Sequence, residues 1–411
     1  MKIPELLAPA GNMERFYTAL RFGADAVYVG MEQMSLRNFA DNFTLDQLFE
    51  ACGFAHKHRK RVYVAVNAFA RDHELANLPS FLRDIQAAGA DALIVNDPGV
   101  IRLSKEHVPE MELHLSTQAN TLNAHAAKFW QEQGVKRIVL ARELSLDEAR
   151  GIKEQVPGLA LEVFVHGAMC VSYSGRCLLS NYISGRDSNK GECAQPCRWT
   201  YELRERGKNG EHFPIEQDAQ GTYVLNSRDL NLMPKLHAVL LTGADSLKIE
   251  GRMKSVYYVA TVVNAYRMAL DAYRDRPLSI PPDAALMEEL HKASHRPYTT
   301  GFAFGDPGAG GQMTRSAGYV QTHELSAVVL EYDEARHSAL VEQRNRFFLG
   351  DTLEILSPGS IDRTITVSSM RTEDGEEAAS APHPQQRLWI AAAEPLQAGD
   401  MLRKKLPQQG E

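Results

Sequence analysis

Cysteine is scarce in this chain, five in 411 residues, and four of the five fall between Met169 and Trp199. No apolar run approaches the ~18 continuous residues of a membrane span, and the N-terminus MKIPELLAPAG carries no signal-type apolar core. Positive charge is not in excess either: 45 Lys and Arg against 52 Asp and Glu give a net charge of −7. The first two absences argue against a membrane protein and place the expected compartment in the cytoplasm, where thiols are kept reduced. A tight cysteine group there reads as a metal site before a disulfide framework. The third absence removes nucleic-acid binding by overall charge and leaves only local patches. The plainest basic run, AHKHRKR at 55–61, closes a helical pattern ahead of the strand-like RVYVAVN, where cations face a helix C-terminus and need no nucleic acid.

With 44% hydrophobic and 24% charged residues, the composition is that of a globular chain long enough for one large domain and a smaller one. Short apolar and β-branched runs recur between helical patterns: ELLAPAG, DAVYVG, RVYVAVN, DALIVND, ELHLSTQ, RIVLARE, LEVFVHG, YVLNSRD and SLKIEG. Gly-Ala-Asp precedes several of them, at residues 23–25, 89–91 and 243–245, as a helix-to-strand loop requires. This alternation predicts an α/β fold, a TIM-like (β/α)8 barrel. There are nine candidates for eight places, and YVLNSRD is assigned to the cysteine-bearing insertion near the seventh strand.

The expected domains are a barrel over 1–275 with an insertion at about 167–222, a helical connector over 276–314, and a small antiparallel β-barrel over 315–411. The runs end in polar or small residues, among them Asn67, Asn96, Gln118, Arg142, His166, Asn226 and Glu250. Strand C-termini are where such barrels place their chemistry. Each residue alone is as well read as a strand leaving the core; as a set they form a candidate active-site ring.

The cysteines are Cys170, Cys177, Cys193 and Cys197, separated by six, fifteen and three residues. Structural zinc favours paired knuckles, and only the last pair comes near that form. A wandering loop with four thiolates is acceptable to an iron-sulfur cluster, so the spacing leans toward a cluster and leaves zinc open. Cys52, within LDQLFEACGFAH, reads as a buried small residue. His291 and His295 share a helix face and are better explained by the helix C-terminus than by a metal. Arg176 and Arg198 each adjoin a cysteine, where they stabilise thiolates or pair with surface carboxylates. Trp199 reads as packing ahead of base stacking.

The segments PELLAPAG, GADAVYVG, HGAMCVSYSGRCLLSNY, GRDSNKGECAQPCRW, YVLNSRDL and SLKIEGRMKS closely resemble the collagenase-like peptidase family, which is associated with oxygen-independent hydroxylation. The resemblance runs through the barrel into the β tail. It implies a 4Fe-4S cluster on Cys170, Cys177, Cys193 and Cys197, and conversion of the wobble uridine of tRNA to 5-hydroxyuridine with prephenate as hydroxyl donor. Two departures are visible: HRPYTTGF has Pro297 where glycine is expected, and the stretch from Arg198 to Tyr223 is short.

The expected partners are therefore tRNA and prephenate, with no membrane. Prephenate brings two carboxylates, and guanidinium groups grip a carboxylate bidentately. Arg142 and Arg252 are the leading candidates, with Arg176 and Lys254 beside them. Asn67, Gln118 and Asn226 are further substrate-binding candidates; His166 and Glu250 are the catalytic ones. Hydroxylation of ribosomal RNA or of a quinone precursor is the alternative within the family, the first being usual in longer chains and the second in shorter chains without the tail. A protease would need an activated nucleophile. The chain has no Gly-x-Ser-x-Gly elbow and no His-Glu-x-x-His motif, which leaves only Cys170 beside His166. A non-enzymatic scaffold would leave the polar strand ends and the cysteine loop unexplained.

Overall fold

The structure, a computed structural model, describes residues 3–32, 42–170, 172–190, 192–199, 217–218, 221–222, 226–274, 282–313 and 319–407. Seven parallel strands follow one another around the barrel: β1 (Glu5–Pro9), β2 (Ala26–Gly30), β3 (Arg61–Val66), β4 (Ala92–Val95), β5 (Glu112–Leu115), β6 (Arg137–Val139) and β7 (Ala160–Ala168). After a short strand β8 (Asp229–Asn231), the last barrel strand β9 (Ser246–Ile249) pairs in parallel with both β7 and β1 and closes the ring at eight. The strands are buried on both faces because helices cover the outside and the barrel interior is filled.

The Gly-Ala-Asp triplets explain how the bottom of the barrel is sewn. Gly23, Gly89 and Gly243 take φ of 104°, 87° and 74°, ending a helix as an L side chain rarely does. Each following aspartate then accepts a backbone N–H from the neighbouring strand: Leu6 to Asp25 at 3.0 Å, Val62 to Asp91 at 2.7 Å and Leu161 to Asp245 at 3.0 Å. Lys60 pairs with Asp25 and His56 bonds Asp91, which gives the basic run its structural role.

YVLNSRD is not a barrel strand. Of it, residues 223–225 lie outside the described residues; Asn226–Ser227 pairs antiparallel with Gln312–Met313, and β8 runs antiparallel against the end of β7. The helix Val256–Ala272 closes the barrel, capped by Ser255 and buried along most of its length. The expected connector holds the helix Ala284–Lys292 and β10 (Tyr298–Thr299), which pairs in parallel with β8, so it also completes the mouth.

The C-terminal unit is a seven-stranded antiparallel sheet of β11 (His323–Asp333), β12 (Ser338–Gln343), β13 (Thr352–Ser357), β14 (Ser360–Thr366), β15 (Met370–Thr372), β16 (Arg387–Ala391) and β17 (Met401–Lys405), in the order β14-β13-β17-β11-β12-β16-β15 around its own apolar cluster. It is fixed to the barrel by the buried pair Arg403–Glu289, by Arg21–Asp400 at 2.6 Å, and by Asn264, whose Nδ2 donates to the Ser357 carbonyl at 3.2 Å.

Inside the barrel, Leu7, Tyr28, Tyr63 and Ile94 pack around a charged network. Glu162, fully buried, receives Lys248 at 2.8 Å and Arg137 at 3.2 Å, and Arg137 also reaches Glu5 at 2.6 Å. Burial alone would raise the Glu162 carboxyl, but Lys248 and Arg137 hold it below its ordinary value. A lowered carboxyl stabilises the fold above the ordinary glutamate value of 4.5, and this contribution fades as pH falls below it. Glu162→Leu leaves two buried cations short of a counter-charge and should destabilise the protein by about 3–5 kcal/mol. Urea unfolding at pH 7 reads the loss, and the gap to the parent should narrow at pH 4; a variant as stable as the parent at pH 7 would refute the role of the network.

Candidate active site at the barrel mouth

The C-terminal strand ends form a polar ring, as the fold requires. Beyond β3, β4 and β5, Asn67, Asn96, Ser116 and Gln118 are joined: Asn67 Nδ2 lies 3.5 Å from Ser116 Oγ, Asn96 Nδ2 lies 3.4 Å from Gln118 Oε1, and the Gln118 N–H lies 3.4 Å from Ser116 Oγ. Asn96 and Gln118 are each 5% exposed. On the far side, the Phe164 ring lies between cations, with the Arg142 guanidinium 4.4 Å and the Lys248 ammonium 5.5 Å from its centroid. Tyr28 donates to the Glu250 carboxylate at 3.1 Å, which places Glu250 at the inner rim.

The candidate arginines and lysine each have a partner at the mouth. Arg142 donates through Nη1 to the Ala168 carbonyl at 2.7 Å and braces the end of β7. Arg252, 4% exposed, reaches Asn42 Oδ1 at 3.1 Å beyond β2. Lys254 lies against Tyr319, 4.4 Å from the ring centroid, and donates to the Ser294 carbonyl at 3.3 Å. Arg176 donates to the Gln118 carbonyl at 2.8 Å. The side chains of Asn226 and Arg198 lie outside the described residues.

His166 is a buried histidine rather than a thiol's partner. Its two ring nitrogens face the hydroxyls of Tyr266 and Tyr298, 3.5 Å away in each case, and no hydrogen bond joins it to Cys170 among the described residues. Burial pushes its imidazole down to about 3, against a weaker upward pull from Asp229. The ring is therefore neutral at any working pH and a weak base, which takes away the cysteine-histidine pair a protease would need.

Next to it, Asp229 and Arg296 form an ion pair at 2.7 Å, both about 99% buried. Burial alone would raise Asp229, and the Arg296 guanidinium holds it below the usual carboxylate range. Arg296 also donates to the Met169 carbonyl at 3.4 Å, one residue before Cys170. Neither Asp229 nor Arg296 was a candidate in the sequence; they stand 67 residues apart, and only the flanking motifs NSRDL and HRPY hint at them. His295 stacks on Tyr298 at 4.1 Å and lies 3.2 Å from His291, a hydrogen-bonded pair at a helix end.

The cysteine loop leaves β7 at the mouth. Ser174, at φ 48°, donates through its N–H to Glu143 at 2.7 Å; Asn189 bonds Cys177 on both sides of the peptide and receives the Phe69 N–H at 3.1 Å. Cys170, Cys177, Cys193 and Cys197 are all free thiols, and Trp199 is 43% exposed. Among the described residues no three His, Cys, Asp or Glu side chains are gathered to hold a metal ion, so this conformation has no finished ligand cage. The donor chemistry nevertheless fits a cluster. Three of the four sulfurs accept a backbone N–H from two residues ahead, Ser172 to Cys170 at 3.4 Å, Leu179 to Cys177 at 3.3 Å and Gln195 to Cys193 at 3.4 Å, the kind of hydrogen bond that tunes iron-sulfur clusters. Cys52 is apart from them and buried, its thiol pushed up to about 12 by burial.

A (β/α)8 barrel with a four-thiol loop over a polar mouth, followed by an antiparallel sheet unit, is a defined class of protein. The description Peptidase family U32 matches residues 11–313, and Peptidase family U32 C-terminal domain matches 321–403. The chain belongs to this family. It is 41% identical over 404 residues to the "tRNA hydroxylation protein P1" of Bacillus subtilis (strain 168), covering 98% of this chain and 95% of that one. It is 37% identical over 437 residues to the "tRNA hydroxylation protein P" of Escherichia coli (strain K12), covering 96% and 95%. With the "23S rRNA 5-hydroxycytidine C2501 synthase" of Escherichia coli (strain K12) it shares 38% identity over 268 residues, 65% of this chain but 39% of that protein.

A neutral His166 has a consequence for pH. A histidine depressed when folded binds its proton more readily when unfolded, so stability is full above the ordinary value of 6.5 and declines as pH falls toward 3. The His166 ring resonances should not shift between pH 8 and pH 5; a titration midpoint above 5 would contradict the buried environment described.

Proposed function

We propose that this protein is an RNA hydroxylase that acts on the wobble uridine of tRNA, replacing the C5 hydrogen with hydroxyl without dioxygen and with prephenate as hydroxyl donor. The observation that carries this reading is the near full-length match to tRNA hydroxylation proteins, both of them matched through the C-terminal sheet unit. The ribosomal-RNA relative matches only part of its own greater length, which favours tRNA over ribosomal RNA. A protease reading finds no activated nucleophile, since His166 is buried among tyrosines.

Cys170, Cys177, Cys193 and Cys197 would hold the 4Fe-4S cluster. When bound, a cluster would supply one-electron transfer at the mouth; exchange of C5–H for C5–OH is a two-electron oxidation, whose two electrons would be taken up by the hydroxyl donor or by a separate acceptor. The chain's own residues set the stage. Arg142 makes no hydrogen bond through Nε or Nη2 among the described residues and keeps these donors for a carboxylate of prephenate, while Phe164 and Lys248 keep that side of the mouth cationic. Glu250, positioned by Tyr28, is the carboxylate placed to move a proton.

Nucleoside mass spectrometry of tRNA from cells with and without the gene, grown anaerobically, tests the assignment. Loss of 5-hydroxyuridine is expected; unchanged tRNA with altered ribosomal RNA or quinone would move the substrate within the family. With purified protein, Arg142→Lys should raise the prephenate concentration for half-maximal product by roughly tenfold, the worth of one charged hydrogen bond.

Purified without oxygen, the protein should be brown and hold about four irons per chain, as one cluster with four thiolate ligands requires. Replacing any of the four cysteines by Ala should abolish that colour, whereas Cys52→Ala should retain it. Stoichiometric zinc in iron-replete anaerobic preparations would overturn the cluster.

A further inference from the structure

We infer that Asn67, Asn96 and Gln118 form a nucleoside-reading site, in which the side-chain oxygens of Asn96 and Asn67 accept hydrogen bonds from the ring N–H and a ribose hydroxyl of the substrate nucleotide. The inference rests on the RNA-hydroxylase reading and adds the residues that would recognise the base.

The amide nitrogens are already engaged, Asn67 Nδ2 with Ser116 Oγ and Asn96 Nδ2 with Gln118 Oε1. This leaves Asn67 Oδ1 and Asn96 Oδ1 buried with no hydrogen-bond partner, on neighbouring strand ends and at the face where the barrel opens. With Gln118 as it is placed, turning the Asn96 amide end for end would set its oxygen against Gln118 Oε1. Burying an acceptor without a donor destabilises a fold, and two together describe a site that a donor-bearing ligand completes.

The sign of the site selects the ligand. Two carbonyl oxygens repel a carboxylate, which leaves prephenate to the cationic side around Arg142 and Lys248. A uridine nucleotide carries the matching donors: the N3–H of uracil, and the 2′-hydroxyl that marks RNA. Cytosine presents a lone pair at N3 where uracil presents N–H, so an acceptor there discriminates between the two bases. The cysteine loop covers this part of the ring, since Arg176 donates to the Gln118 carbonyl at 2.8 Å and Phe69, two residues beyond Asn67, donates to Asn189 at 3.1 Å. A base held by these amides would therefore lie beneath the loop that carries the thiols.

The test uses the full chain, purified anaerobically, and synthetic anticodon stem-loop RNAs followed by fluorescence anisotropy. Relative to the stem-loop with uridine at the wobble position, the parent protein should bind the 3-methyluridine and 2′-deoxyuridine versions about 3–10-fold more weakly each, the range of a neutral hydrogen bond. Asn96→Leu should weaken uridine binding similarly and erase the penalty for 3-methyluridine; Asn67→Leu should erase the penalty for 2′-deoxyuridine. Equal binding of all three RNAs by the parent overturns the inference without depending on any variant, as does retention of both penalties in the variants. If the parent binds and hydroxylates the stem-loop but is indifferent to N3 methylation, only this site is refuted. If it neither binds nor hydroxylates any stem-loop, the RNA reading falls with it.

Discussion

The buried ion pair of Asp229 with Arg296 is the constraint on which the mouth of this barrel depends. After β7 the chain leaves the barrel for the cysteine loop and returns only at β8, which must lie antiparallel on the end of β7 without joining the barrel. Three residue pairs of ladder are a weak attachment for so long an excursion. Arg296 adds a charged clasp from the connector, donates to Asp229 through both its backbone N–H and its guanidinium, and donates to the Met169 carbonyl beside Cys170. Loss of either partner would leave a charge buried without compensation, a larger penalty than the pair's net contribution. The first cysteine is thus positioned by a residue more than a hundred places further along the chain.

A second charged device lies inside the barrel. Glu162 gathers Lys248 and Arg137, and Lys248 also lies 4.5 Å from the Tyr28 ring centroid. Arg142, its guanidinium 4.4 Å from the Phe164 centroid, adds a further cation at the rim of a chain whose net charge is −7. Low-dielectric walls strengthen such a local field, and the field at a cleft decides what enters it more than the total charge does. A local cation such as Arg142 can therefore act on what approaches this opening despite the acidic remainder.

The barrel was legible because parallel strands buried on both faces read as plain apolar runs, and because each Gly-Ala-Asp combines a helix-ending glycine with an aspartate bonded to the adjacent strand. The place of YVLNSRD was legible only by counting, since nothing local distinguishes a strand that pairs antiparallel at the rim from one inside the ring. The polar strand ends were visible one by one, but not the joining of Asn96 to Gln118, which depends on strand register. Arginine was the least readable residue type. Arg142 and Arg252 were expected to offer their guanidiniums to carboxylates at the mouth; the first also braces the end of β7 and the second reaches Asn42. A long guanidinium takes whichever carbonyl or amide the fold brings near, and that partner is set by tertiary geometry rather than by the residue's place after a strand.

His166 shows why position alone misleads about chemistry. It sits at a strand end four residues before a cysteine, the placement that made it a catalytic candidate, and its backbone carbonyl does meet the Glu250 N–H at 2.9 Å. The same closeness of β7 and β9 explains Gly167, at φ 110°, where an added Cβ would lie 2.2 Å from the Glu250 carbonyl oxygen. The His166 ring lies buried among Tyr258, Tyr266 and Tyr298. The Glu250 side chain is only half-buried and is held at the inner rim by the Tyr28 hydroxyl. The barrel thereby assigns its polar strand ends to two tasks: those turned into the wall hold the rim in shape, and those turned toward the opening meet what enters it.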